Sequence, residues 1–217
     1  MVKIEHVLPA DIEKESFAII TKELSEMGKQ LPKEYEEIIK RVIHTTADFE
    51  YADTLYFSEG VKEILYDALR KGADIVTDTN MVLSGISKRT LEGLGGEAHC
   101  FMAHPDVMKE AKVRGCTRAA VSMEWAARLH KPVIFAIGNA PTALIRLYEL
   151  MQEGYRPAAI IGVPVGFVNV VASKELILES KVPCIVNRGR KGGSNVAAAI
   201  CNALLYGLDE TRGNKNA

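Results

Sequence analysis

An alternation constrains this chain more than any other feature. Short apolar runs rich in β-branched residues fall at 74–77, 98–101, 133–137, 158–162 and 184–187. Helix-period segments separate them at 88–94, at 105–112 with 118–129, at 142–153 and at 174–180, and a last one follows at 196–206. Strands alternating with helices read as right-handed βαβ units, because a parallel neighbour is reached only through a crossover. The runs are apolar throughout, not at every second residue, which is the pattern of strands covered on both faces. The expected fold is α/β: a single domain with a mainly parallel sheet of about five strands and helices on both faces.

Two helices are expected ahead of that core. Asp11 is placed to cap the first, with Ile12, Phe17, Ile20, Leu24 and Met27 on one apolar stripe and Gly28 closing it. Pro32 suits the first turn of the second, whose inward residues are Tyr35, Ile38, Ile39 and Val42. That helix delivers His44 at its C-terminal end or just beyond. Ser58 then reads as the cap of a helix running to Leu69 and ended by Gly72.

A length of 217 residues suits one domain, assigned to 1–208, with the polar stretch 209–217 as a frayed tail. The formal net charge of −1 argues against a nucleic-acid partner, which needs a basic surface. It leaves room for a small polyanion held by local arginines. No run approaches the ~20 apolar residues of a membrane-spanning helix, and the segment from Met1 to Glu15 mixes charges of both signs without an apolar stretch. A soluble, cytoplasmic protein is expected, with Cys100, Cys116, Cys184 and Cys201 as free thiols packed among apolar neighbours. His6, His99, His104 and His130 lack metal-site spacing, and even His99, Cys100 and His104 together do not build one, so no metal is expected.

In parallel sheets ligands bind at the carboxyl edge, and the most unusual stretches of the chain lie there. They are Thr77-Asp78-Thr79-Asn80-Met81, Gly138-Asn139-Ala140-Pro141-Thr142, Gly162-Val163-Pro164-Val165-Gly166-Phe167, and Arg188-Gly189-Arg190-Lys191-Gly192-Gly193-Ser194-Asn195. The last can be a tight strand-to-helix turn, or a cradle in which Arg188, Arg190, Lys191 and the amides of Gly192 and Gly193 take a carboxylate or phosphate. It is neither of the common nucleotide-binding glycine patterns. The Gly138–Pro141 stretch, with Asn139, is either a rigid loop or a polar pocket wall. His44 is either a dipole partner at a helix end or, with Arg41, Asp48 and Asp53 near it in sequence, an imidazole tuned for proton transfer.

Taken together, these segments resemble the precorrin-8X methylmutase family, also called cobalt-precorrin-8 methylmutase. The resemblance runs from Pro9 to Leu205. It is carried by Ile12-Glu13-x-x-Ser16-Phe17, Arg41-Val42-Ile43-His44-Thr45-Thr46-Ala47-Asp48-Phe49-Glu50 and Asp78-Thr79-Asn80-Met81-Val82. Gly115-Cys116-Thr117-Arg118-Ala119, Ile137-Gly138-Asn139-Ala140-Pro141-Thr142-Ala143-Leu144, Gly162-Val163-Pro164-Val165-Gly166-Phe167-Val168 and Gly189-Arg190-Lys191-Gly192-Gly193-Ser194 complete it. The resemblance implies an isomerase of cobalamin biosynthesis that moves a methyl group from C-11 to C-12 of precorrin-8 or its cobalt form. It implies His44 as general acid and no cofactor, any cobalt belonging to the substrate. It also implies Arg118, Ser16 and Ser87 as substrate contacts, and a homodimer. Ala119 and Ala172 depart from the family pattern, where serine and an acidic residue are common. A carrier that binds a tetrapyrrole without acting on it is the alternative, and it would not need His44. A nucleotide-dependent transferase using the 189–195 loop is a third reading.

Overall fold

The computed structural model describes Leu8 and residues 11–209 of the chain. His6 and nearly all of the expected frayed tail lie outside those residues. Six strands form one sheet: β1 (Leu55–Phe57), β2 (Asp74–Thr77), β3 (Ala98–His99), β4 (Val133–Ile137), β5 (Ala159–Gly162) and β6 (Cys184–Asn187). Their spatial order is β1-β6-β5-β4-β2-β3. Five of the six are the runs read from sequence, and all of these pair in parallel. The sixth, β1, is an antiparallel edge strand with Tyr56 opposite Val186. Three residues are too few to show a period, so β1 is set by its pairing partner and not by local pattern.

The helices are α1 (Ile12–Glu26), α2 (Glu36–Thr46), α3 (Tyr51–Thr54), α4 (Val61–Arg70), α5 (Asn80–Gly85), α6 (Lys88–Gly93), α7 (Pro105–Arg114), α8 (Arg118–Ala126), α9 (Pro141–Gln152), α10 (Val170–Glu179) and α11 (Ser194–Leu208). They cover both faces of the sheet, and β4 displays the reason. Ile134 and Ala136 point into one core, with residues of α1, α2, α4, α5, α6 and α11. Val133, Phe135 and Ile137 point into the other, with α8, α9 and α10. Side chains alternate along a strand, so a strand apolar at every position needs both layers. The helix α11 is buried nearly all round and lies under α2, which identifies it as the central helix of the first layer.

Three local expectations are corrected. Pro32 precedes α2 in a turn, its carbonyl accepting from the Tyr35 amide at 3.0 Å, and does not open the helix. Ser58 does not cap α4; its hydroxyl accepts the Cys184 amide at 2.8 Å and stitches β1 to β6, while Gly60, at φ 64°, stands at the cap. Asp11 stands at the start of α1 but makes no capping bond. The stripe on α1 buries Ile20 and Leu24 only, Ile12 and Met27 each remaining 51% exposed. The two departures have different settings: Ala119 is in the second core, whereas Ala172 is exposed on α10.

Candidate active site

Strand order reverses between β2 and β4, and a doubly wound sheet opens a crevice there at its carboxyl edge. That crevice is filled from within. Asp78, fully buried just past β2, accepts the consecutive amides of Gly138 at 2.9 Å, Asn139 at 2.7 Å and Ala140 at 2.5 Å. Burial raises the Asp78 pKa, and the three amide bonds act against that rise. The carboxylate thus occupies the electropositive start of α9, where a ligand anion would otherwise sit. Asn139 is exposed, but its amide is already committed. Next to it Thr79 caps α5 through the Val82 amide and bonds Ser194 Oγ at 3.0 Å, joining this crevice to the start of α11.

The loop between β6 and α11 is held differently. Lys174, on α10 and wholly buried, donates to the carbonyls of Gly189 and Lys191, both at 2.8 Å. Asn187 Nδ2 donates to Arg188 and Lys191 carbonyls at 3.2 and 2.9 Å. Gly192 cannot be replaced without a clash: its φ is 153°, and a Cβ would lie 2.1 Å from the Val163 carbonyl oxygen. The Gly193 amide donates to that same oxygen at 2.9 Å. These two glycines therefore make a close backbone approach to Val163.

The same loop grips the segment that carries His44. Lys191 Nζ contacts Asp48 Oδ2 and Glu50 Oε2, both at 2.7 Å. Thr54 Oγ1 donates to Asn187 Oδ1 at 2.8 Å, and the Arg188 amide donates to the Thr54 carbonyl at 2.9 Å. The Lys191 bond and the Glu50 amide hold the Asp48 carboxyl below its usual range, and the Lys191 ammonium is raised in turn. Tyr51, its hydroxyl pKa raised by burial, is acted on by the Gly192 amide.

His44 lies in the last turn of α2, exposed, and Ala47 ends that helix in the left-handed region at φ 53°. Its ring meets Phe17 of α1, centroids 5.5 Å apart and planes tilted by 50°. Phe17 is positioned by Arg41, whose guanidinium lies 5.1 Å from the Phe17 centroid and 5.1 Å from that of Tyr206, and which pairs with Glu13. The residues near His44 in sequence serve elsewhere. Asp48 goes to Lys191, Asp53 to Lys29, and the Thr46 hydroxyl donates to the Val42 carbonyl at 2.8 Å.

The remaining predicted contacts divide. Ser16 is one residue from Phe17, its hydroxyl bonded to the Ile12 carbonyl at 2.8 Å. Ser87 leads into α6; its amide bonds Asn202 of α11 and its hydroxyl Thr90. Arg118 opens α8 in the second layer and donates to the Met102 carbonyl at 3.4 Å. Arg190 lies over Phe167 at 5.4 Å. The structure thus brings Lys191, Gly192 and Gly193 to the His44 segment and places Arg118 farther along the carboxyl edge. The sequence reading missed Lys174 and Phe17 as parts of the site, and it missed an apolar rim after β5, the exposed Val165, Phe167 (80% exposed, under Arg190) and Val168, with Met81 exposed on α5. Among the described residues no three His, Cys, Asp or Glu side chains form a metal-ligating group, and all four cysteines are free, Cys184 and Cys201 buried. No helix among them is long and apolar enough to cross a membrane.

Comparison with known proteins bears on this geometry. Residues 11–207 match the family model described as precorrin-8X methylmutase. The cobalt-precorrin-8 methylmutase of Salmonella typhimurium is 48% identical over 93% of this chain and 97% of its own length. The precorrin-8X methylmutase of Pseudomonas aeruginosa is 40% identical over 89% of this chain and 93% of its own. A crystal structure of precorrin-8x methyl mutase from Thermus thermophilus superposes with a TM-score of 0.82 at 38% identity, covering 90% of this chain and 96% of that one.

Proposed function

Because the chain belongs to the precorrin-8X methylmutase family, and is therefore an isomerase of cobalamin biosynthesis, we propose that it moves a methyl group from C-11 to C-12 of precorrin-8 or cobalt-precorrin-8, with His44 as general acid. The product is hydrogenobyrinate or its cobalt counterpart. The observation that carries this reading is the attachment of the His44 segment to a cationic glycine loop beside an apolar rim. A corrin is a flat apolar ring edged with carboxylates, and such a ligand wants apolar walls with cations at the margin. Met81, Val165, Phe167 and Val168 provide the first; Arg118, Arg188 and Arg190 provide the second. Ser16, Ser87, Asn139, Lys191 and the Gly192 amide complete the proposed contacts; Lys191 can serve only while shared with Asp48 and Glu50, and the Gly193 amide, given to the Val163 carbonyl, drops out.

The methyl shift needs no nucleophile from the protein and no resident cofactor. It needs a fixed ring and a proton supplied as conjugation reorganises. Substrate and product are isomers, so a proton given at one stage must be matched by one taken back, which a single imidazole can do. Phe17 packs on one side of that imidazole, which leaves the other side for the substrate. We place the enzyme in the cytoplasm as a homodimer, the exposed apolar rim being suited to a second copy as well as to the ring.

The test is His44→Ala. It should bind hydrogenobyrinate, followed by visible absorbance, while turnover falls by ~10² or more, the usual scale for a general acid. Turnover at the parent rate would remove the acid assignment. A carrier without catalysis predicts corrin binding and no conversion by the parent protein.

A further inference from the structure

Lysine is almost never fully buried without a carboxylate partner, yet Lys174 is 0% exposed and its ammonium meets only the carbonyls of Gly189 and Lys191. The charged groups around it are otherwise committed. On its own helix Glu175 and Glu179 are exposed. β5 carries no ionisable side chain, and β6 offers only Cys184 and the neutral Asn187. On α9, Arg146 pairs with Glu149, Glu153 and Glu124, and Tyr148 packs against the second core. In the loop above, Arg188 lies over Tyr56, Arg190 over Phe167, and Lys191 reaches Asp48 and Glu50. At the loop itself four cations, Lys174, Arg188, Arg190 and Lys191, meet two carboxylates, Asp48 and Glu50, both held by Lys191, and the cation deepest in the protein has no counter-ion.

We infer that Lys174 is a positioning residue of the substrate site, a buried charge whose counter-ion is a carboxylate of the bound corrin seated on the Gly189–Gly193 loop. It acts through that loop: its hydrogen bonds turn the Gly189 and Lys191 carbonyls inward, and its charge adds to the field an anion meets outside. Lys191, whose carbonyl it holds, in turn grips the His44 segment, so the residue that favours the anion also sets the spacing to the proposed acid. Burial alone pulls the Lys174 ammonium down to about 8 in the free protein. A bound carboxylate stabilises the charged form and draws a proton in.

The inference rests on the corrin reading of the site, and the experiment separates the two. Hydrogenobyrinate binding is titrated by absorbance for the parent protein and for Lys174→Gln, which keeps amide donors for the two carbonyls but no charge. The expected result is affinity weaker by roughly ten- to thirtyfold at pH 7 in the variant, from one charge removed at short range. The penalty should fall on KM more than on kcat. The parent should lose affinity from pH 7 to 9, and the variant should not. Unchanged affinity in a folded Lys174→Gln, or the same pH dependence in both proteins, overturns the inference while leaving the methylmutase reading intact. A parent protein that neither binds hydrogenobyrinate nor forms it overturns both. If Lys174→Gln does not fold, calorimetry of the parent at pH 8.5 in two buffers of different ionisation enthalpy decides: proton uptake on binding supports the inference, and its absence overturns it.

Discussion

Two loops at the carboxyl edge of the sheet are braced by buried charges of opposite sign. After β4, the Asp78 carboxylate takes three backbone amides in a row. After β6, the Lys174 ammonium takes two backbone carbonyls. An anion among amides fills the place a ligand carboxylate would use, so the first loop is closed to one. A cation among carbonyls turns the opposite groups inward and leaves positive charge behind the loop. The start of α11, unlike that of α8 with its Thr117 cap or of α9 with Asp78, has no side-chain cap. The crevice where strand order reverses is thus a structural joint, which favours the ligand edge proposed above, towards β6 and α2.

The comparison can be broken most severely at Asp78. Asp78→Ala leaves three inward amides without an acceptor, at about 1–3 kcal/mol each before relaxation. Some of that is offset, because burying the carboxylate is itself costly, as its raised pKa records. A net loss of about 3–5 kcal/mol is expected, read as a fall of roughly 10 °C in Tm for a chain of this size. Asp78→Asn keeps one acceptor and should fall between. A Tm for Asp78→Ala within a degree or two of the parent would mean that the joint is not held by this carboxylate.

At the second loop, two glycines with positive φ should respond unequally. Gly192→Ala drives a Cβ to 2.1 Å from the Val163 carbonyl, and backbone cannot yield there cheaply. Gly189, at φ 75°, has nothing within 4 Å, so Gly189→Ala meets only the left-handed penalty, about 1–2 kcal/mol. Gly192→Ala should cost more than that and also lower turnover, since it displaces the loop that holds Asp48 and Glu50. Equal effects in chemical denaturation and in initial rates would show that the close approach to Val163 does not set the loop.

The strands were legible because apolar, β-branched runs carry their own signal, and His44 was legible as the end of an amphipathic helix. Its surroundings were not. The nearest carboxylates in sequence, Asp48 and Asp53, turn to Lys191 and Lys29, while the ring that meets His44 comes from another helix through Arg41. Only helix packing decides that. Lys174 was overlooked because a lysine in a helix reads as solvated. A signal did exist: Val170, Ser173 and Ile177 are buried on one face of α10, and Lys174 falls on that face at helical spacing. Asp78 likewise follows directly on a strand with no exposed position, where a carboxylate must find donors.

The smallest expected effect is in acid, where the two regions should differ in sign. Asp48 has its pKa lowered from 3.8, first by the Lys191 bond. Its contribution to stability is present above that unfolded value and is lost as pH falls through the folded one. Asp78 is raised from 3.8, so its contribution is present below the unfolded value and is lost as pH rises through the folded one. Urea midpoints measured between pH 3 and 6 should therefore show Asp48→Asn losing less stability than the parent as acid is added. Asp78→Asn should lose more, because the gain from protonating a buried carboxylate is gone. The Asp48 change will be slight, since its partner Lys191 is exposed and surface pairs contribute little. If both variants shift the profile in the same direction, the two carboxylates do not sit in opposite electrostatic settings, and the contrast between the loops fails.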